Sequence, residues 1–119
     1  MPLLKPKEKD VLSACKSLLE IYKGMGLLDY HRISTTGIPK GNGRFRPNPA
    51  AGFPDLLIWI YDGPDLYVEL KSKNGVFSKS QIEFKQRAEK AGRFYLSARS
   101  STDLSIILGK MLGQKNPVT

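Results

Sequence analysis

Between Gly52 and Lys71 the chain reads GFPDLLIWIYDGPDLYVELK; Asp55 and Asp65 each follow a proline, and the stretch closes on Glu69-Leu70-Lys71. Two carboxylates brought to one point repel each other unless a cation joins them. A divalent ion held by a few carboxylates binds phosphate oxygens and lowers the pKa of a bound water. A lysine beside such a pair would position that water or offset charge developing on the substrate. Whether this chemistry is available depends on which aspartate the fold sets beside Glu69.

The elements that must position them are legible. Asp55 to Tyr61 is expected as a strand, Asp62-Gly63-Pro64 as a turn and Leu66 to Lys71 as a second strand, together an antiparallel hairpin. Side chains alternate along a strand, so Tyr67, Glu69 and Lys71 project together. With a three-residue turn, Asp55 lies opposite Lys71 and diagonal to Glu69, on the same face. A two-residue Asp-Gly turn would flip Asp55 to the other face. Pro64 has no N–H for a ladder, which favours the longer turn. Asp65 falls at the far end of the hairpin, roughly 13 Å from Glu69 at about 3.3 Å per residue, and serves as a turn acid. Alone, Glu-x-Lys equally describes an ordinary surface ion pair.

Around the hairpin, Lys7 to about Met25 has apolar residues at helical spacing and ends at Gly24 and Gly26. Ile33 to Ala51 interleaves six glycines and prolines with polar and basic residues, and is expected to be an irregular loop. Ser78 and Gln81 have capping-box spacing at the start of a second helix, which Gly92 ends. Phe94 to Ala98 reads as a short strand, and a last helix runs from Thr102 or Asp103 to Leu112. The order α-β-β-α-β-α gives an α/β fold, a mixed central sheet flanked by helices. The chain, 119 residues and 40% hydrophobic, suits a single domain over residues 1–119.

The formal charge is +8, and no acid occurs from Tyr30 to Pro54, where Arg32, Lys40, Arg44 and Arg46 fall. A segment of one sign reads as a surface facing phosphates, and the basic loop at about 34–51 carries most of it. The lone Cys15 points to a reducing compartment, so a cytoplasmic location is expected, with no membrane association. No basic-then-apolar leader opens the sequence, and the apolar run Leu56 to Tyr61 is too short to span a bilayer.

Taken together, Gly52-Phe53-Pro54-Asp55, Glu69-Leu70-Lys71 and Ser78-x-x-Gln81 resemble the PD-(D/E)xK nuclease superfamily. Within it the chain is most similar to the virus-type replication-repair nuclease (VRR-NUC) domains, over nearly its whole length. The resemblance implies a restriction-endonuclease-like core. It implies metal ligation by Asp55, Glu69 and the Leu70 carbonyl, and a catalytic Lys71. The ion is expected to be Mg²⁺, with Mn²⁺ substituting. Small stand-alone members, many from phages, resemble Holliday-junction resolvases of recombination and repair and act as homodimers; a phage product would work in the host cytoplasm. The expected activity is a metal-dependent DNA endonuclease selective for four-way or other branched DNA. The alternatives are a nickase or restriction-type nuclease on linear duplex, and a non-catalytic basic nucleic-acid-binding module.

Other residues carry two readings each. Glu8 shares the inward helical stripe with Leu12, Cys15, Leu19 and Tyr22; it is either an acid reaching the metal or a first-turn acid favouring the helix dipole. Glu20 falls on the opposite stripe and reads as a solvated charge. Gln81 faces the active site, as the resemblance implies, or only caps its helix. Arg32, Lys40, Arg44 and Arg46 are candidate phosphate contacts as a group, with Lys73 and Lys85 as further ones. His31, without a second zinc ligand, reads as a loop or strand-end residue. Cys15 reads as a packed small hydrophobe, and Trp59 and Phe84 as core.

Overall fold

A computed structural model describes residues 8–33, 38–39, 45–46 and 52–113; for residues 8, 38–39 and 45–46 it describes the backbone alone. The elements are α1 (Glu8–Gly24), β1 (Leu28–Arg32), β2 (Ile38–Pro39), β3 (Phe45–Arg46), β4 (Leu56–Ile60), β5 (Asp65–Leu70), α2 (Lys79–Lys90), β6 (Phe94–Ala98) and α3 (Ser101–Leu112). Four strands form one sheet in the order β1-β4-β5-β6. β1, β4 and β5 are successively antiparallel, whereas β5 and β6 run parallel, joined by α2. This is the expected mixed sheet flanked by helices.

One face of the sheet carries Leu28, Leu56, Ile58, Ile60, Leu66, Val68, Leu70 and Ala98. These pack against Val11, Cys15 and Leu19 of α1 and Leu104, Leu108 and Met111 of α3. Each leucine fully buried in this way contributes about 1.5–3 kcal/mol, so this layer is the main source of stability. Cys15 belongs to it: burial first, and then the charge of Asp103, push its thiol up to about 11, so it stays neutral and unreactive at physiological pH. The opposite face meets α2 through Phe84, whose ring lies 5.4 Å from that of Tyr67 and 5.9 Å from that of Tyr95.

Four expectations need correction. Leu28–Arg32 is a strand at the edge of the sheet; only Leu28 and Tyr30 join the apolar layer against α1, and the polar Asp29, His31 and Arg32 hide the alternation. Within the expected irregular loop, β2 and β3 form a short antiparallel ribbon, with Ile38 opposite Arg46 and Pro39 opposite Phe45. Trp59 is 41% exposed rather than core, because α2 covers β5 and β6 but leaves this half of the sheet open; its ring meets His31 edge-on at 4.5 Å. Glu20 is not simply solvated: its Oε2 accepts a 2.6 Å hydrogen bond from the Tyr30 hydroxyl. That bond, more than burial, pushes the Tyr30 phenol up to about 12.

The hairpin register also differs from expectation. Its last pair is Trp59 with Asp65, so β4 ends at Ile60, residues 61–64 make the turn and Asp65 begins β5. Asp62 takes a left-handed conformation there, with φ 59. The pairing ends at Leu56–Val68; Asp55 lies one residue beyond it, at the position that the same register would set opposite Glu69 instead of Lys71. The shift is an even number of residues, so the shared face survives it. Among the described residues no helix is long and apolar enough to cross a membrane.

Candidate active site

Asp55 is held on both sides by main chain. Its carbonyl accepts from the Ile33 N–H at 2.8 Å, and its Oδ2 accepts from the Leu70 N–H at 2.8 Å. The next amide along β5, that of Lys71, turns the other way and donates to the Ala98 carbonyl at 3.0 Å. In an extended strand the N–H and C=O of one residue point to the same side, so the Leu70 carbonyl is directed to the side where Asp55 stands.

Glu69 and Lys71 follow on the α2 face, and both are buried, at 2% and 9% exposure. A buried carboxylate must be satisfied by donors or cations. One donor is the Tyr95 hydroxyl, 3.4 Å from Glu69 Oε2. Burial, followed by the charges of Glu69 and Asp55, holds the Tyr95 phenol far above its usual range, so it remains a protonated donor. The Lys71 ammonium lies 5.5 Å from the centre of the Phe77 ring, a cation–π distance.

Asp55 and Leu70 open onto a cavity of about 230 Å³ shared with Lys9, Leu12 and Arg32. Arg32, in β1 just before the basic loop, thus lines the same cavity as Asp55. Glu8 is the first residue of α1, immediately before Lys9, and its side chain lies outside the described residues. So do Lys40 and Arg44 entirely, while Arg46 is known only as a backbone position in β3. Lys73 and Lys85 are exposed. Among the described residues no three His, Cys, Asp or Glu side chains group closely enough to hold a metal ion. Two carboxylates and a carbonyl remain as donors, a set that fits Mg²⁺, which keeps several waters and takes further oxygens from substrate phosphates.

The Gly-x-Pro-Asp stretch is locked to α2 by its glycine. Gly52 has φ +89, and a Cβ there would stand 2.4 Å from the Ser80 carbonyl oxygen. Only glycine allows this approach, which ties the turn before Asp55 to the first turn of α2. The capping box forms as its spacing indicates: Ser78 Oγ accepts from the Gln81 N–H at 3.2 Å, and Gln81 Oε1 accepts from the Ser78 N–H at 2.9 Å. The Gln81 amide oxygen is therefore engaged at the cap.

Sequence reasoning missed Tyr95 and Arg99. Arg99 Nη1 donates to the carbonyls of Ser72 at 2.6 Å, Lys73 at 3.2 Å and Gly75 at 2.8 Å. It thereby gathers the loop that follows Lys71 onto the end of β6. A Cβ on Gly75 would lie 3.4 Å from Lys71 Cδ, so this same loop backs the lysine stem. The only sequence signal for either residue was its place in or just after the strand parallel to β5.

The fold is one already seen in solved structures. A structure described as a VRR_NUC domain matches with a TM-score of 0.62 and 20% identity, covering 87% of this chain and 97% of its own. Another, a VRR_NUC domain protein, matches with a TM-score of 0.64 and 17% identity, covering 92% and 91%. The chain therefore has the α/β, restriction-endonuclease-like fold of VRR_NUC domains. No family model and no curated protein matches the sequence itself.

Proposed function

We propose that the protein is a Mg²⁺-dependent DNA endonuclease, selective for four-way or other branched DNA. The observation that best supports this reading is the bond from the Leu70 N–H to Asp55 Oδ2, which joins Asp55 to the strand end that carries the buried Glu69 and Lys71. A module that only bound phosphate would gain nothing from grouping acids where the polyanion must approach. Asp55, Glu69 and the Leu70 carbonyl hold the ion, and Glu8 adds a further ligand from the start of α1. Once bound, the ion supplies Lewis-acid polarisation of the phosphodiester and a more acidic water.

The chain's own residues do the rest. The Leu70 N–H fixes one oxygen of Asp55, so its carboxylate meets substrate already oriented. Tyr95 holds Glu69 and remains uncharged. Lys71, stiffened by Phe77 and the loop behind it, orients the attacking water or offsets charge developing on the phosphate. Gln81 lies at the adjoining helix start, where its amide nitrogen can serve the same water. Arg32, with Lys40, Arg44, Arg46, Lys73 and Lys85, grips phosphates without regard to sequence. Two symmetric cuts in a junction need two sites, so the working form is a homodimer. Mn²⁺ replaces Mg²⁺.

The test is a cleavage assay on matched linear, flap, fork and four-way DNA, each with Mg²⁺ or EDTA. Paired symmetric nicks in the four-way substrate, absent in EDTA, are expected. Equal nicking of the linear duplex would replace junction selectivity with a nickase, and binding without cleavage in Mg²⁺ and Mn²⁺ would leave only a binding module.

A further inference from the structure

Next to the carboxylates lies a groove that neither the chemistry above nor the packing of α2 requires in its present form. It encloses about 340 Å³ and is walled by Phe53, Tyr67, Phe84, Arg87 and Arg93, over a floor of Ala88 and Ala91. The Phe53 and Phe84 rings are 4.7 Å apart and tilted at 57°. Phe84 meets Tyr67 and Tyr95 where α2 docks on the sheet, and Phe53 adds a further wall and stays 37% exposed. Arg87 lies with its guanidinium 5.9 Å from the centre of the Phe84 ring. Among the described residues neither Arg87 nor Arg93 has a carboxylate within ion-pair distance.

A groove with an aromatic wall and guanidinium groups at its rim suits a ligand that is flat and π-rich and carries negative charge beside the ring. An unstacked nucleobase with its flanking phosphates has this chemistry. The position fits as well. Phe53 precedes Asp55 by two residues in the chain, and Tyr67 precedes Glu69 by two along β5, on the same face and roughly 7 Å away at the backbone. A strand whose phosphodiester sits at the acids carries a neighbouring base within reach of the two rings.

We infer that the Phe53–Tyr67–Phe84 groove, rimmed by Arg87 and Arg93, is a stacking site for an unpaired base next to the scissile phosphodiester. The inference rests on the nuclease reading for its substrate and deepens it: the preferred DNA has an unpaired nucleotide beside the cut. A base drawn into this groove must leave its duplex neighbour, and one at a branch point or fork has already done so.

The test uses the full chain in Ca²⁺ or EDTA, with forked DNA bearing 2-aminopurine at its first unpaired position and a fully paired duplex as control. Binding is read by anisotropy and stacking by quenching of the base analogue. The wild type is expected to quench on the fork. Phe53→Leu, which keeps an apolar side chain of similar bulk, should abolish the quench and weaken fork binding about 5- to 100-fold. Its duplex binding should stay within about twofold of wild type. Arg87→Gln with Arg93→Gln should weaken fork binding and flatten its salt dependence by about one to two counterions. An undiminished quench in Phe53→Leu, or an equal loss on fork and duplex, overturns the stacking site. Failure of the DNA reading would look different, with no binding to either substrate by the wild type. Quenching without cleavage in Mg²⁺ would remove the nuclease and keep the groove.

Discussion

Asp55→Asn is expected to lower the cleavage rate in Mg²⁺ on the order of 10³-fold while leaving the fold as it is. The substitution is isosteric, and the asparagine oxygen can still accept from the Leu70 N–H, which at 2.8 Å is a well-formed bond. Only the charge is removed. Glu69→Gln keeps an acceptor for Tyr95 in the same way and should show a loss of the same order. Melting temperatures of both variants should stay near the wild-type value in EDTA. Binding to DNA without metal should be at least as tight as wild type, since each change removes a negative charge facing a polyanion. Rates come from single-turnover assays on the substrate the wild type cuts best, and binding from anisotropy in EDTA. Wild-type cleavage by Asp55→Asn would mean that the two acids serve structure.

Gly52→Ala carries the other large effect, on stability and activity together. Alanine at φ +89 is strained, and its Cβ would press on the Ser80 carbonyl at 2.4 Å, a backbone atom that cannot rotate away. The chain must move the turn before Asp55 or the start of α2. A loss of about 2–4 kcal/mol is expected, which in a domain of this size lowers the melting temperature by at least about 10 °C. Gly92→Ala separates the two causes, because Gly92 has φ +76 but a methyl group there would meet no atom within 4 Å. It should lose only about 1 kcal/mol, the conformational part. If thermal melts gave the two variants equal losses, the contact of Gly52 with α2 would not be tight in solution.

What is legible in the sequence is local. The capping box of Ser78 and Gln81, the strand at Phe94–Ala98 and the hairpin all follow from neighbours a few residues apart. The common parity of Asp55, Glu69 and Lys71 along the hairpin is readable for a sturdier reason: a period of two forgives an even error in turn length. What stays hidden depends on partners far along the chain. Arg99 reaches carbonyls 24 to 27 residues away, and Tyr95 meets Glu69 across 26. Nothing in either residue's local context announces such contacts. Trp59 reads as core because its exposure depends on how far α2 extends over the sheet, and β1 escapes notice because an edge strand half in water lacks a full apolar stripe.

The suspension of Asp55 between two strands has a consequence for how the site wears under stress. Its carbonyl hangs from Ile33, where the chain leaves the rim strand β1, and its carboxylate from Leu70, in the interior strand β5. Rims of sheets open by small, frequent excursions, whereas interior strands separate only when the whole domain gives way. Each opening at Ile33 slackens one of the two ropes on the acid and leaves the other taut. Warming would therefore disarm the site by fraying, at a temperature set by the weakest margin of the sheet, while the layer of leucines beneath it still holds the molecule together.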